Sequence, residues 1–334
     1  NCFVVVDKVV YELYKYEIEK YFSSKVESFK VHLVDGEDDN KNINQFVKIF
    51  EALNNYPINR RNEPVIIIGG GVATDIGAFT TSCFRRGIPH IKVPTTLMGY
   101  VDASVGIKTG INFGENKNRM GSFYPPMAVL LDKAFFKTLP ERDISNGIGE
   151  IIKIAVIKNA KLFSALESNP SALLTTKFKS KESNYILEAS IRDMIEELAP
   201  NLFEDNLERI VDFGHTFSLV FEMEPTTDIK HGEAVAMDIL FSCLLSNHRK
   251  LMSDEDLNRV INLINACKLP IYYDLYDANL LWKSLQERVC HRNGLQRVPI
   301  PVGIGESVFL NDITYDELKS LCQLIKDKSC LVAA

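Results

Sequence analysis

Short apolar runs and longer amphipathic segments alternate along the chain up to about residue 130. The runs Phe3–Val6, Val31–Leu33 and Val65–Ile68 have the length of buried strands, and helical patterns cover Val9–Phe22 and Asn44–Leu53. Strands that alternate with helices of this length form βαβ units. The pattern therefore predicts a mostly parallel sheet in this part of the chain.

Helical periodicity replaces the strand pattern after about Leu131. We expect a helix that starts at Leu139-Pro140-Glu141 and carries Gly147 to Lys158. Further helices are expected over Ser183–Leu198, Thr216–Glu222, Gly232–Asn247, Asp254–Cys267 and Ala278–Arg288. The change of pattern predicts two domains, an α/β domain over residues 1–133 and an all-α domain over residues 134–334.

The composition is that of an ordinary globular protein. Of 334 residues, 46% are hydrophobic and 25% are charged, which excludes a collagen, a disordered tail and a disulfide miniprotein. The formal net charge of −6 provides no general basic field, so nucleic acid is not an expected partner. No apolar run approaches the ~18–20 residues of a membrane span. An anionic small substrate would need a local cluster of Lys and Arg.

The seven cysteines are widely scattered and form no Cys-x-x-Cys motif. This spacing is typical of reduced thiols, so we expect a cytoplasmic protein with most of its cysteines in the core. The residues after Asn1 already have the pattern of a buried strand. We therefore expect a short stretch to precede them, and no secretion signal.

A glycine run follows Val65–Ile68 and precedes a helical pattern. It extends from Gly69 to Gly71, with Thr74 and Asp75 close behind. Glycines at this position let a pyrophosphate approach the backbone, and the free N–H groups of the helix start attract negative charge. Thr74 stands where the complete dinucleotide fingerprint has its third glycine. The run indicates either a phosphate-binding loop or a plain tight turn between strand and helix.

Short polar side chains are dense in the segment that follows Val93. Asp102, Lys108, Lys117 and Asn118 lie here in glycine-rich, loop-like sequence. Polar groups at this density cost core stability, which favours a binding site over scaffolding. A solvated turn with surface lysines is the alternative.

Three separated residues, Glu150, His215 and His231, have the side chains of a catalytic metal site. Two imidazoles and a carboxylate bind a divalent metal and leave a coordination position for a substrate. Both histidines lie beside a glycine and before a predicted helix. Each of them taken alone would more simply be a hydrogen-bonded structural histidine. His291, in a basic turn, could hold a phosphate or face water.

These motifs, together and in this order, resemble the sugar phosphate cyclases, the superfamily that contains dehydroquinate synthase. The similarity extends from Gly69 to about Lys158 and from Arg209 to Asp238, and more weakly to both ends of the chain. It is carried by Gly69-Gly70-Gly71 with Asp75, Arg85-Arg86-Gly87, Val93-Pro94-Thr95-Thr96-Leu97, Asp102 with Lys108-Thr109-Gly110, Lys117-Asn118, Leu139-Pro140-Glu141-Arg142, Glu150 with Lys153, Gly214-His215-Thr216-Phe217 and His231-Gly232-Glu233-Ala234-Val235.

The resemblance implies a dehydroquinate synthase-like fold. It consists of a Rossmann-like NAD-binding domain over residues 1–133 and a helical domain over residues 134–334 that binds substrate and a metal, zinc or cobalt. The implied metal ligands are Glu150, His215 and His231. The implied NAD contacts are Asp7, Lys41, Gly70, Gly71, Asp75, Thr95, Thr96, Asp102, Lys108 and Lys117. The implied substrate-pocket residues are Asp102, Lys108, Lys117, Asn118 and Lys153.

The resemblance also implies a homodimer in which Arg86 reaches the substrate phosphate of the partner subunit. One departure from the family lies before Lys41, where relatives have Gly-Glu three residues upstream of the lysine. This chain has Gly36-Glu37-Asp38-Asp39-Asn40 before Lys41. A contact of Glu37 or Asp38 with the NAD ribose therefore stays open.

The chemistry implied by the resemblance is a cyclisation without net oxidation. NAD takes a hydride from a substrate hydroxyl, phosphate leaves, the hydride returns, and an intramolecular aldol reaction closes the ring. Lysines such as Lys108 and Lys153 are expected to offset the phosphate charge.

Two positions bear on the choice of substrate. Asp212 and His291 resemble the pair of the 2-epi-5-epi-valiolone synthases, which use sedoheptulose 7-phosphate, and we expect both to act on substrate. The demethyl-4-deoxygadusol synthases use the same substrate but have Ala and Thr there. Dehydroquinate synthases bind a carboxylate-bearing substrate, which an aspartate in the pocket would repel. Leu219 departs from the valiolone group, which usually has Pro at that position.

Two other functional classes stay open on the sequence. A metal-dependent NAD alcohol dehydrogenase has the same two-domain plan and ligand types, but it would release NADH. A non-catalytic binding module would have no need for two histidines and a glutamate together with a nucleotide loop.

Overall fold

The computed structural model describes residues 1–114, 116–224, 228–271 and 273–332. The chain forms two compact units, Asn1–Leu139 and Pro140–Ala334. The first unit contains β1 (Cys2–Asp7), α1 (Lys8–Lys25), β2 (Phe29–Val34), α2 (Ile43–Asn54), β3 (Val65–Gly69), α3 (Gly71–Cys83), β4 (His90–Pro94), β5 (Lys108–Phe113), β6 (Asn116–Phe123) and β7 (Ala128–Val129). The predicted alternation of strands and helices is confirmed.

Five strands of this unit form a parallel sheet in the order β2-β1-β3-β4-β7. Helices cover both of its faces: Val5 packs with Ile49 of α2 and Ile76 of α3, and Val4 packs with Ile18 of α1. Burial on both faces explains why the central strands are continuous apolar runs in the sequence. The strand order reverses between β1 and β3, and open sheets of this kind bind ligands beyond the carboxyl ends of their strands at that point.

A β-hairpin lies where the sequence analysis expected a loop. β5 and β6 pair in antiparallel register, with Gly110 opposite Gly121. Their backbones are so close that a Cβ on Gly121 would lie 2.3 Å from the carbonyl oxygen of Thr109. The expectation of a loop was wrong because these glycines permit close strand contact instead of a flexible turn.

The second unit is mainly helical. It contains α4 (Glu141–Lys158), α5 (Ala160–Ser168), α6 (Pro170–Thr176), α7 (Glu182–Leu198), α8 (Ser218–Glu222), α9 (His231–His248), α10 (Asp254–Ala266), α11 (Ala278–His291), β8 (Val298–Pro301), β9 (Ser307–Leu310) and α12 (Tyr315–Val332). The six predicted helices correspond to α4, α7, α8, α9, α10 and α11, whereas α5, α6, α12 and the antiparallel hairpin of β8 and β9 were not predicted.

α9 is the central helix of this unit and is buried from Gly232 to Ser246. Its nearly uniform apolar sequence fits this position, because neighbours surround it on every side.

No helix among the described residues is both long and apolar enough to cross a membrane. The six cysteines with described side chains are free thiols, and four of them are buried: Cys2, Cys243, Cys267 and Cys322.

Candidate metal centre and nucleotide site

Glu150, His215 and His231 converge in the second unit. One possible ligand atom of each residue lies within 4.8 Å of those of the other two. The Nε2 atoms of His231 and His215 lie 3.3 Å and 3.6 Å from the same carboxylate oxygen, Oε1 of Glu150. The structure thus brings together the three residues that the sequence analysis selected by residue type.

Glycines set the spacing of the elements that carry these side chains. α4 and α9 approach so closely that a Cβ on Gly149 would lie 2.4 Å from the carbonyl oxygen of Gly232. Gly214, directly before His215, has φ +74°, a backbone conformation that favours glycine. Larger residues at the helix contact would move the carboxylate of α4 away from the histidine that begins α9.

The electrostatic surroundings keep Glu150 ionised. Its carboxylate is buried, and neither oxygen has a hydrogen-bond partner of good geometry among the described residues. Lys153 Nζ lies 2.5 Å from Oε2. Burial acts to raise the pKa of Glu150, but Lys153 and the two histidines outweigh it and hold this pKa well below its ordinary value. Burial, reinforced by the Lys153 charge, lowers the pKa of His215 to about 3, so its imidazole is neutral near pH 7.

This donor set fits a divalent metal. Lys153 pairs with Oε2, whereas Oε1 is buried without a hydrogen bond of good geometry, and a cation held between Oε1 and the two imidazoles would satisfy it. Two histidines and one carboxylate also leave coordination positions open, as catalytic metal sites require.

The outer nitrogens of both histidines have partners as well. His215 Nδ1 lies 3.2 Å from the carbonyl oxygen of Phe213, and His231 Nδ1 lies 2.8 Å from Glu222 Oε1. The sequence analysis missed Glu222, because only this contact distinguishes it from other acidic residues. The available signal was a carboxylate on the short helix that follows the His215 turn.

Asp212 is an ion-paired group in the same unit. Its Oδ2 accepts a hydrogen bond from Arg292 Nη2 at 2.7 Å, and its Oδ1 lies 3.1 Å from Arg209 Nη2. The backbone nitrogen of His215 donates to the Asp212 carbonyl oxygen, which ties this residue to the turn of the candidate metal ligand. His291 ends α11 and is exposed, and its side chain makes no hydrogen bond to a residue that the structure describes. Asp212 is thus paired with Arg292, the residue that follows His291 in the chain.

The carboxyl edge of the parallel sheet carries the residues expected to contact a nucleotide. Gly70 and Gly71 lie at the start of α3, where a Cβ on Gly70 would lie 3.1 Å from Thr96 Cγ2. Thr95 Oγ1 is buried and has no hydrogen-bond partner among the described residues. A bare backbone at a helix start, with an unsatisfied hydroxyl on the neighbouring strand end, fits the pyrophosphate part of NAD.

Lys41 joins two of the other expected contacts. Its Nζ lies 2.6 Å from Asp75 Oδ2 and donates to Asn118 Oδ1, also at 2.6 Å. Asp7 is the N-cap residue of α1, because its Oδ1 accepts hydrogen bonds from the backbone nitrogens at the start of that helix. Burial raises the pKa of Asp7, against the effect of these hydrogen bonds.

The remaining candidates of the first unit lie on a turn and on the hairpin. Asp102 belongs to the single helical turn Gly99–Ala103, and Lys108 begins β5. Lys117 on β6 pairs with Asp38 across 2.9 Å. Asp38, one of the two acidic residues considered for a contact with the NAD ribose, is therefore already ion-paired with Lys117.

Arg86 lies on an exposed turn after α3. Arg85, Arg86 and Gly87 have φ values of 49°, 64° and 114°, so three successive residues are left-handed. Residues with a Cβ cost roughly 1–2 kcal/mol each in this conformation, and such strain clusters at functional sites. The Arg86 side chain is exposed and makes no hydrogen bond or ion pair with the part of the chain that the structure describes.

Known sequence families match two consecutive parts of the chain. Residues 30–146 match the family described as 3-dehydroquinate synthase N-terminal, and residues 147–289 match the family described as 3-dehydroquinate synthase C-terminal. The chain belongs to the 3-dehydroquinate synthase family. The glycine run and the three candidate metal ligands all lie within the parts matched to this family.

Within the 3-dehydroquinate synthase family, the chain is similar to curated 2-epi-5-epi-valiolone synthases. It is 42% identical to one from Streptomyces albus, over 96% of this chain and 80% of the relative. It is 39% identical to another from Actinomyces sp., over 97% of this chain and 87% of the relative. The predicted resemblance is confirmed.

The fold expectation is confirmed by a solved structure. It is ValA, a 2-epi-5-epi-valiolone synthase from Streptomyces hygroscopicus subsp. jinggangensis 5008, with NAD+ and Zn2+ bound. The match has a TM-score of 0.95 at 36% identity and covers 98% of this chain and 91% of that chain.

Proposed function

We propose that this protein is a 2-epi-5-epi-valiolone synthase. It would convert sedoheptulose 7-phosphate to 2-epi-5-epi-valiolone with release of phosphate, as a carbon–oxygen lyase. The observation that carries the proposal is the convergence of Glu150, His215 and His231 in a chain that is similar, over nearly its whole length, to synthases of that name.

The reaction needs NAD and one divalent metal, zinc or cobalt, which when bound supply reversible hydride exchange and Lewis acidity. Glu150, His215 and His231 would hold the metal. Lys153 keeps the Glu150 carboxylate ionised and therefore able to bind a cation. The low pKa of His215 leaves its nitrogen lone pair available near pH 7.

The first unit would bind NAD at the carboxyl edge of its sheet. Gly70 and Gly71 present bare backbone, and the Thr95 hydroxyl is free to meet the cofactor. The neighbouring Thr96 accepts a hydrogen bond from the Gly99 backbone and so holds the turn that carries Asp102. The remaining proposed contacts are Asp7, Lys41, Asp75, Asp102, Lys108 and Lys117.

Cationic and amide side chains would bind the substrate phosphate and hydroxyls. In the first unit these are Lys108, Lys117 and Asn118, with Asp102 as an acceptor for hydroxyls. In the second unit Lys153 would add a positive charge beside the metal ligands. Charge-assisted hydrogen bonds to phosphate are among the stronger polar contacts that a protein makes.

Asp212 and His291 would select a polyol without a carboxylate. Because Arg209 and Arg292 balance the charge of Asp212, its remaining lone pairs can orient substrate hydroxyls without an unbalanced negative charge in the site. A substrate carboxylate would have to compete with Asp212 for these same guanidinium groups. This competition disfavours dehydroquinate synthesis.

The proposal includes a homodimer in which Arg86 binds the substrate phosphate of the partner subunit. Its exposure and the left-handed backbone on either side of it support this role. A planar guanidinium can bind two phosphate oxygens at once. We also place the enzyme in the cytoplasm, which the free thiols of the described cysteines support.

The cyclase reaction is tested by its cofactor balance. Purified protein with bound metal is given sedoheptulose 7-phosphate and a limiting amount of NAD, and released phosphate and NADH absorbance are followed together. We expect many phosphates released per NAD and no accumulation of NADH. NADH that accumulates in step with substrate consumption would indicate an alcohol dehydrogenase instead. Protein that binds no metal and releases no phosphate would indicate a binding module.

A further inference from the structure

Glu222 places a buried carboxylate against one of the candidate metal ligands. Only 3% of its side chain is exposed, and its Oε1 lies 2.8 Å from His231 Nδ1. The other ring nitrogen, Nε2, lies 3.3 Å from Glu150 Oε1. The His231 imidazole therefore lies between two carboxylates, one on each of its nitrogens.

This contact determines which nitrogen of His231 can bind a cation. An ionised carboxylate accepts hydrogen bonds and does not donate them, so Nδ1 must carry the proton that it shares with Glu222. Nε2 is then the nitrogen left for a cation, and it is the one that faces Glu150 and His215. The same contact fixes the rotation of the ring.

The two histidines differ in the group that contacts Nδ1. His215 Nδ1 lies 3.2 Å from the backbone carbonyl oxygen of Phe213, a neutral acceptor and a longer contact. A carboxylate acceptor makes an imidazole a stronger ligand, and such outer partners commonly change metal affinity by about 10–100-fold. Glu222 is thus expected to affect the metal more than the Phe213 carbonyl does.

We propose that Glu222 is a positioning residue of the metal centre, which binds Nδ1 of His231 and so holds the ring with Nε2 directed to a divalent cation. The inference rests on the metal centre proposed above and assigns a role to a residue that the reaction itself does not use.

A pair of substitutions separates charge from orientation. Glu222→Gln keeps the size of the side chain and an oxygen that can accept from Nδ1, but it removes the negative charge. Glu222→Ala removes both. We expect the dissociation constant for Zn2+, measured by competition with a chelator, to rise about tenfold in Glu222→Gln and about 100-fold in Glu222→Ala.

Glu317→Gln is the matched control. Glu317 is also a mostly buried glutamate of the second unit, and its oxygens accept from Arg249 Nε and Nη2, both at 2.7 Å. Its replacement removes the same charge from a different ion pair. We expect it to lower the melting temperature of the metal-free protein while Zn2+ affinity stays within twofold of wild type.

The outcomes separate this inference from the proposed function. Wild-type protein that does not bind Zn2+ would overturn the metal centre itself. Wild-type protein that binds Zn2+ with an affinity unchanged in folded Glu222→Gln would overturn the role of Glu222 alone. An equal loss of affinity in Glu222→Gln and Glu317→Gln would also overturn it, since general destabilisation would then be the cause. If Glu222→Ala does not fold, Glu222→Gln and its control still decide the question.

Discussion

Arg292 and Asp212 form a short ion pair, with 2.7 Å between Nη2 and Oδ2. The other terminal nitrogen of Arg292 donates to the backbone carbonyl oxygens of Gln296 and Arg297, at 2.9 Å and 2.7 Å. One guanidinium thus closes the turn after α11 and holds the carboxylate that precedes the His215 turn. Only 7% of the Arg292 side chain is exposed, so water screens the pair weakly.

Replacing Arg292 with alanine should lower the free energy of unfolding by about 3 kcal/mol, because the mostly buried Asp212 would keep only Arg209 as a partner and two carbonyls would lose a donor. Asp212→Asn should cost less, since the amide oxygen can still accept from Arg292. Urea unfolding of both single variants and the double variant measures the coupling, which we expect to exceed about 1 kcal/mol. Coupling below about 0.5 kcal/mol would show that the pair contributes nothing specific.

Asp212 and His291 should together determine rate and product. Asp212→Ala with His291→Thr removes a charged acceptor and an exposed imidazole, and so removes hydrogen bonds that would orient the intermediate before ring closure. We expect a slower reaction with part of the product diverted to the gadusol-type ring. Analysis of the products by mass spectrometry and NMR measures this. A double variant that keeps the wild-type rate and product would show that neither residue acts on the substrate.

Arg86 should act on the active site of the partner subunit. Arg86→Ala and His231→Ala are each expected to be inactive, but a mixture of the two should regain activity through hybrid dimers. In a hybrid, the subunit with intact metal ligands receives Arg86 from its partner, so an equal mixture should reach about a quarter of wild-type activity. Subunit exchange is verified by differently tagged chains. Complete subunit exchange without recovery of activity would show that Arg86 acts within its own subunit or has no role in catalysis.

His90 should make the protein less stable in mild acid. It is fully buried and stacked on Tyr124, and burial, with a smaller effect of Lys92, lowers the pKa of His90 to about 3. The unfolded chain binds a proton at an ordinary histidine pKa near 6.5, so between about pH 6 and pH 4 unfolding takes up a proton and stability falls as pH falls. The slope from this one group is about 1.4 kcal/mol per pH unit.

His90→Gln removes this titrating group. We therefore expect the free energy of unfolding to fall less steeply between pH 6 and pH 4 in the variant than in wild type, whatever its stability at pH 7. Urea unfolding at several pH values gives both slopes. Parallel slopes would show that His90 is protonated as readily in the folded protein as in the unfolded chain.

Local pattern was sufficient to predict most of the fold. β1 and β3 are continuous apolar runs because the sheet is covered on both faces, and the helices of the second unit follow the spacing of apolar residues. The hairpin of β5 and β6 was not predictable in this way. Its glycines and short polar side chains do not show the alternation of apolar and polar residues that is typical of a strand. Its pairing depends on the close approach of Gly110 and Gly121.

The candidate site was predictable where residue type and neighbouring glycines carry the signal. Glu150, His215 and His231 are a ligand set that can be recognised before any contact is known. Glu222 and Arg292 were not recognisable as partners, because their importance comes from single contacts with residues distant in the chain. Asp212 was found, but its pairing with two arginines could not be inferred from the sequence.

The identity of the product tests the central claim most directly. Purified protein loaded with Zn2+ and NAD is incubated with sedoheptulose 7-phosphate, and the product is identified by NMR. In parallel, it is offered the carboxylated heptulosonate phosphate that dehydroquinate synthases use. We predict that 2-epi-5-epi-valiolone forms from the first substrate and that the second does not react. Formation of dehydroquinate at a comparable or higher rate, or of a different carbocycle from sedoheptulose 7-phosphate, would contradict the account.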